Sequence, residues 1–297
     1  MSVQERVEKI SQNQNLSLDT PYTTAKIELT GICTLQCAFC YNQQMRRDNN
    51  RQKFLSQESF KLILDNLAQI PTLKEVGLFY MGESGLHKDL ALFYRMLKER
   101  GYFTYLTTNG TVDKIIEAIP YIDSLKVSWN YKNFSDFLFK TRSSPTEYFC
   151  IKDNIKFFKA ICHFYGKELA VSTVLDGDRK DYRHELEQLD FDEHYWIPLQ
   201  NQGGSCIFGM GGVVGEDDHK VSPVPCWSLF KGIYIDVDLN VRTCCYGHRE
   251  KHILGNLKGE PLPKILGSER LLQIKQEHLN GNIPDICKEC LSCQKER

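Results

Sequence analysis

Three cysteines, Cys33, Cys37 and Cys40, fall within eight residues of the stretch GICTLQCAFCYN, Gly31 to Asn42, with the spacing C-x3-C-x2-C. Thiolates packed this closely can hold three irons of a cubane 4Fe–4S cluster. The fourth iron then has no protein ligand from the loop. An open corner lets such a cluster react with a bound molecule instead of only storing an electron. A zinc knuckle or three buried thiols is the plainer alternative. Zinc prefers paired C-x2-C units and a fourth ligand, and no second pair lies nearby. Six more cysteines crowd the far end: Cys226, Cys244, Cys245, Cys287, Cys290 and Cys293. Cys150, Cys162 and Cys206 are scattered between; the first two lie in an apolar helical stretch and read as small buried hydrophobes.

Composition narrows the class. The chain has 297 residues, 41% hydrophobic and 25% charged, which is enough for one large packed unit and a small appendage. There are 37 basic against 38 acidic residues, a net charge of −1. That balance argues against a nucleic acid or an anionic membrane held by bulk charge. No apolar run approaches the roughly 18 residues of a membrane span, and MSVQERVEKI at the start lacks an apolar signal core. Twelve cysteines without a secretory signal point to metal or redox chemistry in a cytoplasmic protein.

The cysteine loop needs a scaffold, and from Ala25 strand-like and helix-like segments alternate. Strands are expected at Ala25–Thr30, Glu75–Met81, Phe103–Thr108, Leu125–Trp129, Leu169–Val174 and Tyr195–Leu199, each short and mostly β-branched or aromatic. Helices are expected at Ser56–Gln69, His87–Arg100, Val112–Ala118, Thr146–Phe164 and Asp181–Leu189. Ser56 suits an N-cap with Phe60, Ile63, Leu64 and Leu67 at helical spacing behind it, and Thr111 suits a cap for the third helix. Six such units predict an α/β fold with a parallel sheet, an open partial (β/α)6 barrel of TIM-like kind. Functional loops of such barrels gather at the C-terminal ends of strands, where the three-cysteine loop falls. Residues 1–24 read as a polar arm, 25–205 as the barrel and 206–297 as a Cys-rich appendage. The Gly- and Pro-rich run Gln202–Pro225 is the passage between the last two.

The three-cysteine loop resembles that of the radical S-adenosylmethionine (radical SAM) enzymes. The resemblance implies that SAM chelates the open iron and that its reductive cleavage yields a 5′-deoxyadenosyl radical, which takes hydrogen from substrate. It places Phe39, before the third cysteine, against the adenine. MGESG, Met81–Gly85, resembles the family's Gly-Gly-Glu stretch near the SAM amino group; Gly82 and Glu83 match, and Met81 replaces the first glycine. TTNGT, Thr107–Thr111, resembles the third-strand loop and brings in Asn109. Ser128 and Asn130 of SWN, with Arg142 after them, stand where the family binds ribose or the methionine carboxylate. Ordinary turns and a solvated arginine explain the same residues without a ligand.

The tail runs Cys226, a hairpin with strands at Ile233–Asp236 and Asn240–Thr243, Cys244-Cys245, a GNL turn, a helix at Glu269–His278, then CKECLSC. That order resembles the SPASM domain, or its shorter "twitch" form, of radical SAM enzymes. The resemblance implies an auxiliary 4Fe–4S cluster, best held by Cys226, Cys244, Cys287 and Cys290, with Cys245 or Cys293 as substitutes. A structural all-cysteine zinc site is the rival. A cluster closed by four thiolates suits electron transfer, so the chain resembles family members that oxidise an aminocyclitol alcohol to a ketone. Arg179, Arg183 or Asp176 then assists the deprotonation. Radical SAM maturases of ribosomal peptides and epimerases share these parts. An epimerase needs a thiol donor, for which Cys206, Cys245 and Cys293 are candidates. Only residues 1–24 precede the first strand, too few for a built-in leader-binding domain, which favours a small polar substrate over a peptide. The resemblance also implies a reductant such as flavodoxin or ferredoxin. An electron carrier or a metal-stapled binding module is the reading of another class; neither needs the barrel loops at Gly82, Asn109 and Ser128.

Overall fold

A computed structural model describes residues 15–40, 52–198, 225–247, 249–288 and 290. Six barrel strands follow in order: β1 (Thr24–Ile27), β2 (Glu75–Gly77), β3 (Phe103–Thr108), β4 (Ser124–Ser128), β5 (Leu169–Leu175) and β6 (Glu193–Pro198). All neighbours pair in parallel, and helices connect them on one side. Helix α1 (Gln57–Leu67) begins at Ser56, whose hydroxyl accepts from Ser59 N at 3.1 Å, and it buries Phe60, Ile63, Leu64 and Leu67. After it come α2 (Leu90–Glu99), α3 (Phe134–Thr141), α4 (Pro145–Phe164) and α5 (Lys180–Leu186). The open α/β barrel expected from the alternation is present.

Period-2 alternation sorts the strand residues. Ala25 and Ile27, Val76, Leu106, Leu125 and Val127, Leu169 and Val171 are buried on the helix side and form the core. Register puts Lys26, Gly77, Tyr105, Lys126, Ser172 and Tyr195 on the other face, toward the lumen. A polar lumen inside an apolar jacket is the arrangement of a ligand cavity.

The appendage joins the same sheet. After α6 (Trp227–Lys231), strand β7 (Gly232–Ile235) pairs in parallel with β1, and β8 (Asn240–Arg242) and β9 (Ile253–Asn256) extend it antiparallel. The order is β6-β5-β4-β3-β2-β1-β7-β8-β9. Two further helices, α7 (Leu262–Leu266) and α8 (Glu269–Leu279), cover this end.

Several expectations need correction. The segment Val112–Ala118 is a 3-10 turn, Asp113–Glu117, with Val112 at its cap; Thr111 instead donates to Asn109 Oδ1. Strand β2 stops at Gly77, because the chain turns off to reach the cysteine loop. Helix α3 was not foreseen; Asn133 caps it, accepting from Asp136 N at 2.9 Å. Cys162 is buried, 1% exposed, but Cys150 faces water. The Gly- and Pro-rich passage lies outside the described residues, apart from its last residue. Among the described residues no helix is long and apolar enough to cross a membrane.

Candidate active site

The three-cysteine loop leaves β1 at the C-terminal end of the barrel and is tied down from three sides. Gln36 N donates to Thr141 O at 3.0 Å and Ala38 N to Lys140 O at 2.7 Å, so the end of α3 receives it. Cys40 N bonds Cys37 O at 3.0 Å, the tight turn that a C-x2-C spacing allows. From the third strand Asn109 Nδ2 donates to Thr34 Oγ1 at 3.0 Å and meets Cys33 Sγ at 3.5 Å. The buried Tyr131 hydroxyl bonds Cys37. Burial, then the nearby Cys40 and Cys33, pushes the Cys37 thiol well above its usual range. Ionised together, these thiols need a cationic centre beside them, as a metal cluster provides.

The loop after β2 locks against this one. Gly82 N bonds Thr30 O at 3.1 Å and Glu83 N bonds Ile32 O at 2.8 Å. A Cβ at Gly82 would lie 2.2 Å from Thr30 O and 2.5 Å from Ile32 O, so only glycine fits this approach. Glu83 is 2% exposed, and its carboxylate accepts from Gly85 N, Thr108 Oγ1 and Asn109 N at 2.9, 2.9 and 2.8 Å. Burial raises it above the ordinary carboxylate range. Both its oxygens are therefore engaged in joining the second and third loops.

The other family-suggested residues spread along the same rim. Phe39 is half-buried beside Cys40, and Ser128 ends β4 opposite Ser172 of β5. Asn130 is buried; its Oδ1 accepts from Val174 N at 2.8 Å and its carbonyl from Lys140 Nζ at 3.0 Å. Arg142 is exposed at the end of α3 with a left-handed backbone, φ 52°. Arg179 stands apart: its guanidinium lies 5.6 Å from the ring of Trp196, which register with Thr173 puts on the helix side of β6. Cys206 lies outside the described residues, as does Cys293.

In the appendage five thiols come together. Cys226 precedes α6, and Cys244 and Cys245 follow β8 directly. The hairpin that carries them is braced by a buried pair in which Arg242 Nε and Nη2 reach Asp236 Oδ2 at 2.7 and 2.6 Å, and Arg242 Nη1 bonds Gly247 O. Cys290 N bonds Cys287 O at 2.9 Å, repeating the turn of the first loop. Burial, then Cys245, Cys226 and Cys287, pushes the Cys244 thiol up. Cys245 is raised by burial and eased by Lys26; it also feels Cys226 and Cys290. Yet among the described residues no three His, Cys, Asp or Glu converge as the coordination sphere of one ion requires.

Sequence reasoning missed Tyr131, Lys140 and Tyr80, which act through hydroxyl or backbone groups. The Tyr80 hydroxyl donates to Cys244 O at 3.0 Å, so Tyr80 to Glu83 touches both thiol sets. Adjacency of Tyr131 to the SWN stretch was the one available signal.

A family model described as the Radical SAM superfamily matches residues 27–160, and one described as SPASM, an iron–sulfur cluster-binding domain, matches 226–293. A Pyrococcus furiosus protein, the tungsten-containing aldehyde ferredoxin oxidoreductase cofactor-modifying protein, is 29% identical over 86 residues. The matched stretch is 29% of this chain and only 23% of that relative's length. Among solved structures, BtrN in complex with AdoMet and 2-DOIA superposes with a TM-score of 0.62 at 16% identity, over 94% of this chain and 97% of BtrN. SuiB of Streptococcus suis, bound to precursor peptide SuiA, gives 0.66 at 14% identity, over 92% of this chain and 70% of SuiB. At these identities the likeness is one of fold. The cofactors that go with the two matched families are SAM, a 4Fe–4S cluster that binds it and an auxiliary cluster. The two thiol groups fall one in each matched region and share one sheet: residues 27–160 are a radical SAM region, and residues 226–293 are a SPASM iron–sulfur domain.

Proposed function

We propose that the protein is an oxidoreductase that removes hydrogen from a C–H of a small polar substrate, sugar- or aminocyclitol-like, held in the barrel lumen. Cys33, Cys37 and Cys40 hold the SAM-binding cluster, and Cys226, Cys244, Cys287 and Cys290 the auxiliary one. When bound, these groups supply one-electron cleavage of SAM, hydrogen-atom abstraction and an electron acceptor. The chain's residues orient and enclose. Gly82 offers its backbone to the SAM amino group, Phe39 its ring to the adenine, and Ser128, Asn130 and Arg142 line the ribose and carboxylate end. Ser172 and Tyr195 present hydroxyls to a hydroxylated ligand, while the Tyr105 hydroxyl donates to Ala25 O at 3.3 Å and leaves its ring in the wall. An alcohol carbon that loses one hydrogen atom, one proton and one electron becomes a ketone.

The observation that carries this reading is the run Tyr80–Glu83. Its first residue bonds the carbonyl of Cys244, and Gly82 and Glu83 bond the start of the first cysteine loop. An electron acceptor is thus attached to the wall of the same cavity in which hydrogen is taken. A domain scheme of 1–24, 25–205 and 206–297, a cytoplasmic setting and a flavodoxin- or ferredoxin-like reductant go with the proposal.

A peptide substrate is the second reading. Among the described residues no strand pairs with the outer edge of β6, and such an edge can take an added strand. The structural neighbour SuiB is seen with a precursor peptide.

Oxygen-free protein with SAM and dithionite should form 5′-deoxyadenosine. With a panel of C-deuterated aminocyclitols and sugars, deuterium should enter that product. No transfer from the hydroxylated panel, with transfer from a deuterated peptide, would replace the first reading by the second. Solvent deuterium appearing in the recovered substrate would instead mark an epimerase using Cys206 or Cys245.

A further inference from the structure

Lys26 sits in β1, the strand that joins the barrel to the appendage. Register puts it opposite Gly77 of β2 on one side and Tyr234 of β7 on the other. Its side chain is half-buried on the lumen face, with Nζ 5.1 Å from the centre of the Phe79 ring. A Cβ at Gly77 would come within 2.8 Å of the Phe79 and Tyr105 rings, so the missing side chain gives these rings their place beside Lys26. On the other side Tyr234 Oη and Ser228 Oγ are 2.5 Å apart, and Ser228 Oγ is 3.8 Å from Cys245 Sγ.

Among the described residues Lys26 forms no ion pair. Glu28, two residues on, accepts from Val237 N at 3.0 Å. A cation withdrawn from water without a carboxylate is costly unless some other negative charge offsets it. Its register partner Tyr234 shares the lumen face and, through Ser228, leads to Cys245 Sγ, so the lysine stands on the lumen side of the tail thiols.

We propose that Lys26 is the counter-charge of the auxiliary cluster, a positioning residue that eases electron uptake from the substrate radical. Four thiolates leave a 4Fe–4S cluster negative, and an added electron makes it more so. A fixed cation on the substrate side favours the reduced form. One electron leaves the substrate radical, its proton leaves to solvent, and the cluster is reduced by one electron. The inference rests on the auxiliary-cluster assignment made above.

The test uses the full chain with Cys33, Cys37 and Cys40 all changed to alanine, so that only the tail cluster remains. Iron and sulfide are measured, then the midpoint potential by EPR-monitored titration. Lys26→Met should make reduction about tenfold less favourable, a fall of about 59 mV for one electron. Lys26→Arg should stay close to the parent. An unchanged potential in Lys26→Met, with iron retained, overturns the inference and leaves the cluster assignment intact. No iron in the parent overturns the assignment itself. If Lys26→Met loses its iron, Lys26→Gln is read in the same way. Iron lost from both neutral variants but kept by Lys26→Arg supports a charge role, and iron lost from all three overturns it.

Discussion

Replacing Glu83 by glutamine tests how the site is built. The carboxylate accepts three hydrogen bonds, two from backbone N–H groups of Gly85 and Asn109 and one from Thr108. Hydrogen bonds to a charged group contribute roughly 1.5–3 kcal/mol each, so three give on the order of 5–9 kcal/mol gross. Burying the carboxylate takes back several of those, which is why burial raises its pKa. Glutamine keeps one acceptor oxygen but aims an NH2 at a donor, leaving a buried N–H without a partner at a cost of about 2–3 kcal/mol. That corresponds to a melting temperature lower by roughly 5–10 °C. Because the same bonds hold the backbone of Asn109, whose side chain meets Cys33, iron at the first site should fall as well. The pH dependence has a definite sign. A carboxyl raised in the folded state contributes stability below its unfolded pKa and loses it as pH rises through the folded value. The deficit of Glu83→Gln should therefore widen, not narrow, as pH is lowered from 7 toward the ordinary carboxylate range. Thermal melts of the oxygen-protected protein at pH 7 and 5, with iron analysis, read both effects. A variant that melts with the wild type and keeps its iron would refute this account of the loops.

Cys37→Ala should abolish 5′-deoxyadenosine formation while leaving iron at the tail; iron analysis with no loss would contradict the first ligand set. Cys287→Ala should remove tail iron and lower the melting temperature but spare SAM cleavage uncoupled from product; normal substrate turnover by that variant would show the second cluster to be dispensable. His252 is 4% exposed, bonded to Thr243 Oγ1 at 2.8 Å, and its pKa is pushed down to about 4 by burial, with Lys251, Arg242, Arg249 and Arg270 adding to it. Its stability contribution is complete above about pH 6.5 and is lost as pH falls toward 4, about 3 kcal/mol across that window. His252→Gln should flatten this part of the melting curve against pH, and an unchanged slope would argue against a buried neutral histidine.

The barrel was legible because its strands repeat a simple physical pattern: Leu169–Leu175 and Phe103–Thr108 are β-branched or aromatic runs bounded by polar turns. The first cysteine loop was legible because its spacing is local. Helix α3 was not, since its signal is one Asn133 cap in the short stretch between strand β4 and the long helix α4. The tasks of Glu83 and Asn130 were hidden for another reason. Their side-chain oxygens bond backbone N–H groups that only the packed loops bring near. Backbone partners leave no trace in residue type. Neither did the parallel pairing of β1 with β7, which joins residues more than 200 positions apart.

That pairing decides how the two ends of the chain work together. A free-standing appendage would place its cluster at a distance set by a linker, and electron transfer would vary with its motion. Here β7 is hydrogen-bonded to the strand that launches the first cysteine loop, and Thr23 N is bonded to Lys231 O at 3.0 Å where the two strands begin. Tyr80 closes the same gap from the β2 side by its bond to Cys244 O. Three contacts from different parts of the barrel thus fix one short hairpin, and the hairpin carries the paired thiols. Moving the tail cluster would require breaking ladder bonds of the sheet between β1 and β7. Under the proposed function, a substrate in the lumen meets a hydrogen acceptor and an electron acceptor carried on hydrogen-bonded strands of one sheet.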